Sequence, residues 1–503
     1  MDGNIPKLGL SNILLMCVIG AITIRAIYQR WKNRKLYAFM SSIPGPMSLP
    51  FIGGIYVCIG ISRNNLFRKL KTFKKNYPGI IAGIWERGKP HLIVSSREVV
   101  NAVLASSENI DKIYHYRNVK IGTATMFSAS GTEWRMIRNI MNPSFQTKLL
   151  PLFDVHFYNH VKTFVSNLKE HLNGDKFDIF TPIHLCTIDL ICDSMVRNRI
   201  GAQENRLVRF SYVMTQLYEM LFEKIFSPLL WSDWIYALSG KKKLVRALRK
   251  EQNDYLQKMM DQRIRERAEL KVAGHLETSQ IYIDILLDKM DAGILSKQHI
   301  ISEISEILVA GSFTTAIVLS WVFKLLAVYP DIQEKAYQEI KKNCSGEEVR
   351  LDELSELVYT EMIIKETLRH CGVPLTGRNL TKDVRVNDSM TIPAGIQLIM
   401  SAHDLHHDPE YWERPGEFYP EHFSPANEKS RPKGAFVPFM GGKRVCPGSR
   451  YAMRSMRFLV ANTLLRYKFS TDENPPKDIR DMDCRYIFLF LPTNGFLVKM
   501  DIR

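Results

Sequence analysis

By the spacing of its apolar and polar positions, the chain is mostly helical from Leu66 onward, with few Gly or Pro breaks, no internal repeat and no low-complexity segment. Short runs around Ile80 to Ile84, His91 to Val94, Ile396 to Met400 and Tyr486 to Met500 read as strands. No polar linker divides residues 55–503, so the pattern predicts one large domain, mainly α with small β-sheets. Ahead of it, Leu8 to Ile24 is apolar except for Ser11, Asn12 and Thr23, and its seventeen residues are the short end of a bilayer span. Arg25, Arg30, Lys32, Arg34 and Lys35 follow that stretch, whereas only Lys7 precedes it. This asymmetry predicts a signal anchor over residues 1–29 with the rest of the chain cytosolic. A cleaved signal peptide would carry its charge in front, and a buried helix is a poor use of an extreme terminus. Residues 30–54 read as a basic flank ending in a stiff hinge, because Ile43 to Pro50 is too proline-rich for helix or strand.

Two helices stand out. One is expected from an N-cap at Ser296 to about Val328, where Pro330 sets a boundary. From Ile307 it is apolar nearly all round, which makes it a central buried helix. Its middle is Ala310-Gly311-Ser312-Phe313-Thr314-Thr315. Small residues there admit a crossing helix, or line a groove whose hydroxyls face a ligand; the helix alone leaves both open. The second follows Cys446-Pro447-Gly448 and sets Arg450, Arg454 and Arg457 in one basic stripe, read as a docking surface.

Composition narrows the partners. The 503 residues carry 68 Lys+Arg against 52 Asp+Glu, a formal charge of +16, with 24% charged and 46% hydrophobic residues. That is globular usage and excludes a disordered or collagen-like chain. The excess points to anionic lipid, an acidic protein or nucleic acid, but no nucleic-acid module accompanies it. Lys241 to Lys243, Arg246, Arg249 and Lys250 read as a solvated helix face. The eight cysteines form no C-x-x-C pair and read as reduced thiols. There is no G-x-G-x-x-G and no P-loop, so the sequence shows no nicotinamide, flavin or nucleotide site of its own.

Cys446 differs from the other cysteines. It lies between a glycine-rich turn and a helix start, where backbone N–H groups favour a thiolate, and no zinc-spaced partner accompanies it. A lone axial metal ligand is the better metal reading.

Phe439, Gly442, Arg444, Cys446 and Gly448 together match F-x-x-G-x-R-x-C-x-G, and here the chain resembles the cytochrome P-450 superfamily. Ala310-Gly311-x-x-Thr314-Thr315, Glu366-x-x-Arg369, Trp134-x-x-x-Arg138 and Phe418-x-Pro420-Glu421-x-Phe423 are similar to further motifs of that family in order. Trp134 to Phe145 and Val373 to Arg378 look most like family four and its relatives. The resemblance implies the cytochrome P-450 fold and a non-covalent haem b, with Cys446 as axial thiolate on iron and Phe439 and Gly448 shaping its loop. Trp134, Arg138, Arg378 and Arg444 would hold the haem propionates. Thr314, with Thr315 beside it, would help deliver protons to bound oxygen. Glu366, Arg369 and His422 would form a structural network. Phe313, Leu375 and Thr376 would line the substrate pocket, as would residues near Met126 and Leu491 to Asn494. His403, His406 and His407 resemble the family's H-x-D-P-x-x-W loop and read as structural.

The sequence also departs from the family pattern. Phe313 occupies the place of an Asp or Glu before the threonine, which puts the proton relay in question. His422 stands where an arginine is usual and loses the bidentate fork. Ala310 replaces a glutamate that esterifies haem in some family-four members, so covalent attachment is not expected. The resemblance implies an endoplasmic-reticulum monooxygenase with its catalytic domain in the cytosol. It would insert one atom of O₂ into a lipophilic substrate such as a fatty acid, a lipid hormone or a xenobiotic. Its partners would be NADPH-cytochrome P-450 reductase and cytochrome b5, meeting Lys443, Arg450, Arg454 and Arg457, together with membrane lipid. Phe313 keeps a haem-thiolate isomerase or dehydratase in view; Phe313 and His422 together motivate a haem-binding protein of impaired activity.

Overall fold

The computed structural model describes residues 10–47, 49, 54–58, 60–77, 81–86, 89–114, 116, 123–172, 174–204, 208–227, 230, 232–274, 281–344 and 346–503. Leu8 and Gly9 of the expected anchor, Ser48 and Pro50 of the hinge, and Ile80 of the first expected strand lie outside them. The chain is mainly helical with small sheets, as its pattern predicts.

In chain order the helices are α1 (Leu10–Lys32), α2 (Arg34–Ser42), α3 (Leu66–Asn76), α4 (Arg97–Ala105), α5 (Gly131–Met141), α6 (Asp154–Asn167), α7 (Phe180–Met195), α8 (Val208–Phe226) and α9 (Asp233–Leu238). They continue as α10 (Lys241–Val272), α11 (Tyr282–Asp291), α12 (Lys297–Val328), α13 (Pro330–Asn343), α14 (Val358–Cys371), α15 (Ala402–Leu405), α16 (Pro425–Ser430) and α17 (Ser449–Arg466). The strands are β1 (Ile81–Glu86), β2 (Lys89–Val94), β3 (Phe177–Asp178), β4 (Leu375–Asn379), β5 (Val384–Arg385), β6 (Thr391–Ile392), β7 (Gln397–Ser401), β8 (Tyr467–Ser470), β9 (Cys484–Ile487), β10 (Leu489–Pro492) and β11 (Leu497–Ile502).

The axis of the structure is α12. Ser296 caps it, its hydroxyl accepting the His299 N–H at 3.3 Å. Pro330 stops it and opens α13 at its first turn, where a missing N–H has no consequence. Among the described residues α12 is the one helix long and apolar enough to cross a membrane, and it is mostly buried inside the fold. It crosses α7 at Gly311, where an added Cβ would come 2.5 Å from Ile191 Cδ1. The glycine in mid-helix therefore admits a crossing helix.

A four-stranded sheet in the order β1-β2-β7-β4 holds a second apolar cluster. Its centre pairs β2 with β7 in parallel, His91 opposite Gln397 and Val94 opposite Met400. α2 packs on this cluster through Met40, Leu36 and Phe39, so part of the basic flank before the hinge is a seated helix. α1, in contrast, leaves Leu14, Met16, Val18, Ile24, Ile27 and Trp31 exposed. The strand-like stretch Tyr486 to Met500 is divided into parts of β9, β10 and β11. Phe488 takes φ +77° and Gly495 φ +79°, and each turns the chain out of its pleat.

Candidate active site

The loop before α17 is fixed from both ends. Cys446 N–H donates to the Phe439 carbonyl at 3.0 Å, and Val445 N–H to that of Gly442 at 3.1 Å. Gly442 has φ +66°, and a Cβ there would overlap the carbonyl oxygen of Leu104 at the end of α4. Only glycine permits this approach. Gly448 begins α17, and a Cβ on it would meet nothing within 4 Å. The Cys446 thiol is accessible to solvent-sized molecules yet enclosed by protein, so it opens into an interior cleft. Burial pushes this thiol above its ordinary range, while the Gly448 N–H, Arg138 and Lys112 favour the thiolate. The helix start therefore does not ionise Cys446 unaided.

Cations surround the cleft. Arg444 donates to the carbonyls of Ile110 at 2.9 Å, Met126 at 3.2 Å and Ala129, and its guanidinium lies 4.2 Å from the Trp134 ring centre. Arg138, one turn beyond Trp134 on α5, donates to the Val445 carbonyl at 3.2 Å. Arg378 on β4 is only 3% exposed; among the described residues it bonds the Gly377 carbonyl at 3.0 Å and no carboxylate. Lys112 completes the set, its ammonium 3.1 Å from the Phe127 ring centre. Burial, then Arg444 and Arg378, push Lys112 well below its ordinary range. Arg444 is pushed down to about 9 by burial, Arg378 and Arg138. Asp111 and Glu306 alone among these causes oppose the shifts as carboxylates, so the cluster holds more positive than negative charge.

The opposite wall is one stripe of α12. Between Ile300 and Val328 every residue is buried except Glu306, Ala310, Gly311 and Thr314. Their spacing puts Glu306, Ala310 and Thr314 on one face, a turn apart. The Thr314 hydroxyl donates to the Ala310 carbonyl at 2.7 Å, leaving its lone pairs free. Lys112 feels both Glu306 and Cys446, so it lies within reach of both charges. Phe313 and Thr315 lie off the stripe and are buried. The Phe313 ring stacks on Tyr218 at 5.3 Å and meets Phe180 and His184 edge-on. Leu375 and Thr376 open β4, and Thr376 bonds the Tyr116 phenol.

Behind the loop, Glu366 and Arg369 are fully buried and joined by two parallel bonds of 2.8 Å. Arg369 also donates to the carbonyls of His406, Pro415 and Glu417. His422 Nδ1 reaches both Glu366 oxygens at 3.2 and 3.3 Å, and its Nε2 is buried without a partner among the described residues. Arg431 stacks on Trp412 at 4.0 Å and donates to the His422 carbonyl, filling space beside the imidazole. His370 Nε2 lies 2.6 Å from Arg369, 2.9 Å from the Glu417 carbonyl and 3.2 Å from Glu366, and its Nδ1 lies 2.8 Å from His407 Nε2, whose ring in turn meets the His403 carbonyl. Burial pushes His370 down to about 4. The basic stripe of α17 is not a free docking face. Arg454 grips Asp154 with bonds of 2.9 and 2.7 Å, Arg457 pairs with Glu361 at 2.7 Å, and Arg450 bonds Thr147, so these cations tie α17 to its neighbours.

The sequence profile of the family described as Cytochrome P450 matches residues 43–500. The chain belongs to that family. It is 28% identical over 479 residues to Cytochrome P450 4V2 of Mus musculus, covering 91% of this chain and 90% of that protein. It is 27% identical over 476 residues to Cytochrome P450 4c21 of Blattella germanica, covering 91% and 93%. Against Cytochrome P450 4c3 of Drosophila melanogaster the identity is 25% over 513 residues, covering 97% and 94%. These relatives bear out the likeness to family four. Cytochrome P450 enzymes are monooxygenase oxidoreductases that bind haem through a cysteine thiolate and depend on O₂ and a redox partner.

The residues present fit haem. Its two propionates are the anions that the cation cluster lacks, its iron suits an enclosed thiol, and the space over Gly448 admits a planar ring. Lys112 and Glu306 belong to this site but carried no motif. Glu306 had one legible signal, its four- and eight-residue spacing from Ala310 and Thr314; Lys112, in an irregular loop, had none.

Proposed function

We propose that the chain is a membrane-anchored haem-thiolate monooxygenase that hydroxylates a lipophilic substrate, with Cys446 as the axial ligand. Bound haem supplies the binding and reductive cleavage of O₂. Arg138, Arg378, Arg444 and Trp134, joined by Lys112, hold the propionates. Phe439, Gly442 and Gly448 shape the ligand loop, and the Gly448 N–H and Arg138 stabilise the charge on Cys446 Sγ. The Thr314 hydroxyl, with lone pairs turned to the cleft, orients water and holds a proton at Oγ1. Thr315 and Phe313 support that wall from behind, and Leu375 and Thr376 border the substrate space. Glu366, Arg369 and His422 brace the loop. The observation that carries this reading is an enclosed thiol on a glycine-shaped loop, ringed by Arg138, Arg444, Arg378 and Lys112 with a surplus of positive charge.

Residues 1–29 would form the anchor in the endoplasmic-reticulum membrane, residues 30–54 the connection, and residues 55–503 the cytosolic haem domain. The exposed apolar side chains of α1 support this division. NADPH-cytochrome P-450 reductase would deliver electrons, with cytochrome b5 as a second donor.

The carbon monoxide difference spectrum of the reduced protein tests the ligand. A thiolate-type Soret band in the wild type, lost in Cys446→Ser, is expected; an unchanged spectrum in that variant refutes the assignment. Reductase- and NADPH-dependent O₂ consumption coupled to hydroxylated product tests the reaction, and turnover without O₂ uptake would favour the isomerase.

A further inference from the structure

Glu303 is a buried acid on α12 that this mechanism does not use, and both of its oxygens are bonded to other elements. Its Oε1 accepts the Met126 N–H at 2.8 Å, and its Oε2 accepts the phenol of Tyr282 on α11 at 2.7 Å. Met126 sits in a closed turn. There the Thr125 N–H donates to the Ser128 hydroxyl at 3.0 Å, and the Thr125 carbonyl accepts the Ala129 N–H at 2.8 Å. Glu306, on the same helix, accepts the Thr125 hydroxyl at 3.1 Å, so a second acid fastens the turn to α12. Two carbonyls of this turn meet Arg444, which donates to Met126 at 3.2 Å and to Ala129, besides Ile110 at 2.9 Å. A guanidinium has five N–H donors. Three are committed to these carbonyls, so two remain, and the carbonyls decide where they point.

We propose that Glu303 is a positioning residue for haem: by holding the Met126 N–H to α12, it fixes the residue whose carbonyl orients Arg444 toward a propionate. This rests on the haem-thiolate reading and adds to it a residue that touches neither haem nor substrate. The N–H and the carbonyl of Met126 are one residue's backbone inside a hydrogen-bonded turn, so a displacement at one end reaches the other. Burying an acid is unfavourable unless its oxygens are bonded, and here both bonds lead off the helix that carries it. Oε1 accepts the Met126 N–H whether or not Oε2 carries a proton, so the link does not depend on charge and glutamine reproduces it. A residue that only packed would affect the chain equally with and without haem, whatever stood at Arg444.

The test uses the full chain loaded with haem and follows haem transfer to a scavenging globin, beside the melting temperature of the haem-free protein. Glu303→Leu removes the acceptor and should release haem about tenfold faster than the wild type. Glu303→Gln keeps the acceptor and should stay within about twofold. Arg444→Lys retains a cation but gives up the planar fork, and in that background Glu303→Leu should add less than about twofold. In the Arg378→Met background, where the cation removed bonds Gly377 and not the turn, Glu303→Leu should keep its full effect. Should Glu303→Leu fail to fold, Tyr282→Phe loosens Glu303 without touching the turn, and should speed release about two- to threefold only where Arg444 is present. Release at the wild-type rate in the variant used, Glu303→Gln as fast as Glu303→Leu, or an undiminished effect in Arg444→Lys overturns the proposal. The reduced carbon monoxide spectrum separates the two readings: a thiolate band in the wild type keeps the haem-thiolate reading whatever the release rates give, and its absence overturns that reading instead.

Discussion

Arg378→Met should act with opposite signs on the haem-free and haem-bound protein. Arg378 is almost fully buried, and among the described residues its one hydrogen bond is to the carbonyl of Gly377. Burial pushes its guanidinium down, and the guanidinium in turn helps to push Arg444 down to about 9. A shift of that size corresponds to about 5 kcal/mol against the Arg444 charge, with burial the main share and Arg378 the largest charge effect. Methionine approximates the arginine stem, gives up about 1 kcal/mol for the lost bond, and removes a buried charge that has no carboxylate. Replacing buried ions by apolar groups is often neutral or stabilising by about 1–4 kcal/mol. The haem-free variant should therefore melt at or above the wild-type temperature. With haem bound, the same change removes a charge-assisted hydrogen bond worth about 1.5–3 kcal/mol, so the haem dissociation constant should rise about ten- to a hundredfold. Thermal unfolding of the haem-free protein and haem transfer to a scavenging globin measure the two sides. A variant that is less stable without haem by 2 kcal/mol or more and releases haem at the wild-type rate would refute the reasoning.

Three further perturbations probe the surroundings. Burial pushes Glu303 up to about 7, so the folded chain keeps a proton that the unfolded chain releases from about pH 4.5. Its stabilisation is complete below pH 4.5 and is lost as pH rises through 7, about 3 kcal/mol in all. Glu303→Gln should flatten that part of a melting-temperature profile between pH 5 and 7.5, and an unchanged slope would count against it. Arg369→Leu strands the Glu366 carboxylate at zero exposure and should destabilise by about 3–5 kcal/mol in denaturant titrations. Adding Glu366→Gln should recover part of the loss. Gly442→Ala forces an L side chain into φ +66° against the Leu104 carbonyl and should sharply reduce the haem-to-protein ratio of the purified chain.

What was legible in the sequence was what local physics determines. The cap at Ser296, the stop before Pro330 and the all-round apolarity of α12 each act within a few residues, and that helix forms where expected. His91 to Val94 and Ile396 to Met400 are strands by their own composition. Their parallel pairing across some three hundred residues is decided by the whole fold and leaves no local mark. The arginines of α17 were misread for a related reason: spacing shows that they share a face, not that Asp154 and Glu361 come from other helices to meet them. Motifs located Cys446, Arg444 and Arg378, but nothing adjacent to Lys112 marks it as a member of that cluster.

The departures from the family pattern are linked through packing. Phe313 stands where the family carries an acid, and its ring fills a pocket of Phe180, His184 and Tyr218, so a carboxylate there would be buried among aromatic rings. Burial already pushes the neighbouring His184 down to about 4. That pocket therefore supports a neutral, apolar residue at 313, and acidity on the cleft wall of α12 is carried by Glu306, two turns before Thr314. Glu306 lies within reach of the Lys112 charge, and burial raises its pKa. Restoring an acid at Phe313 alone should consequently fail to raise turnover, because the new carboxylate would lack both solvent and a cation in that aromatic pocket.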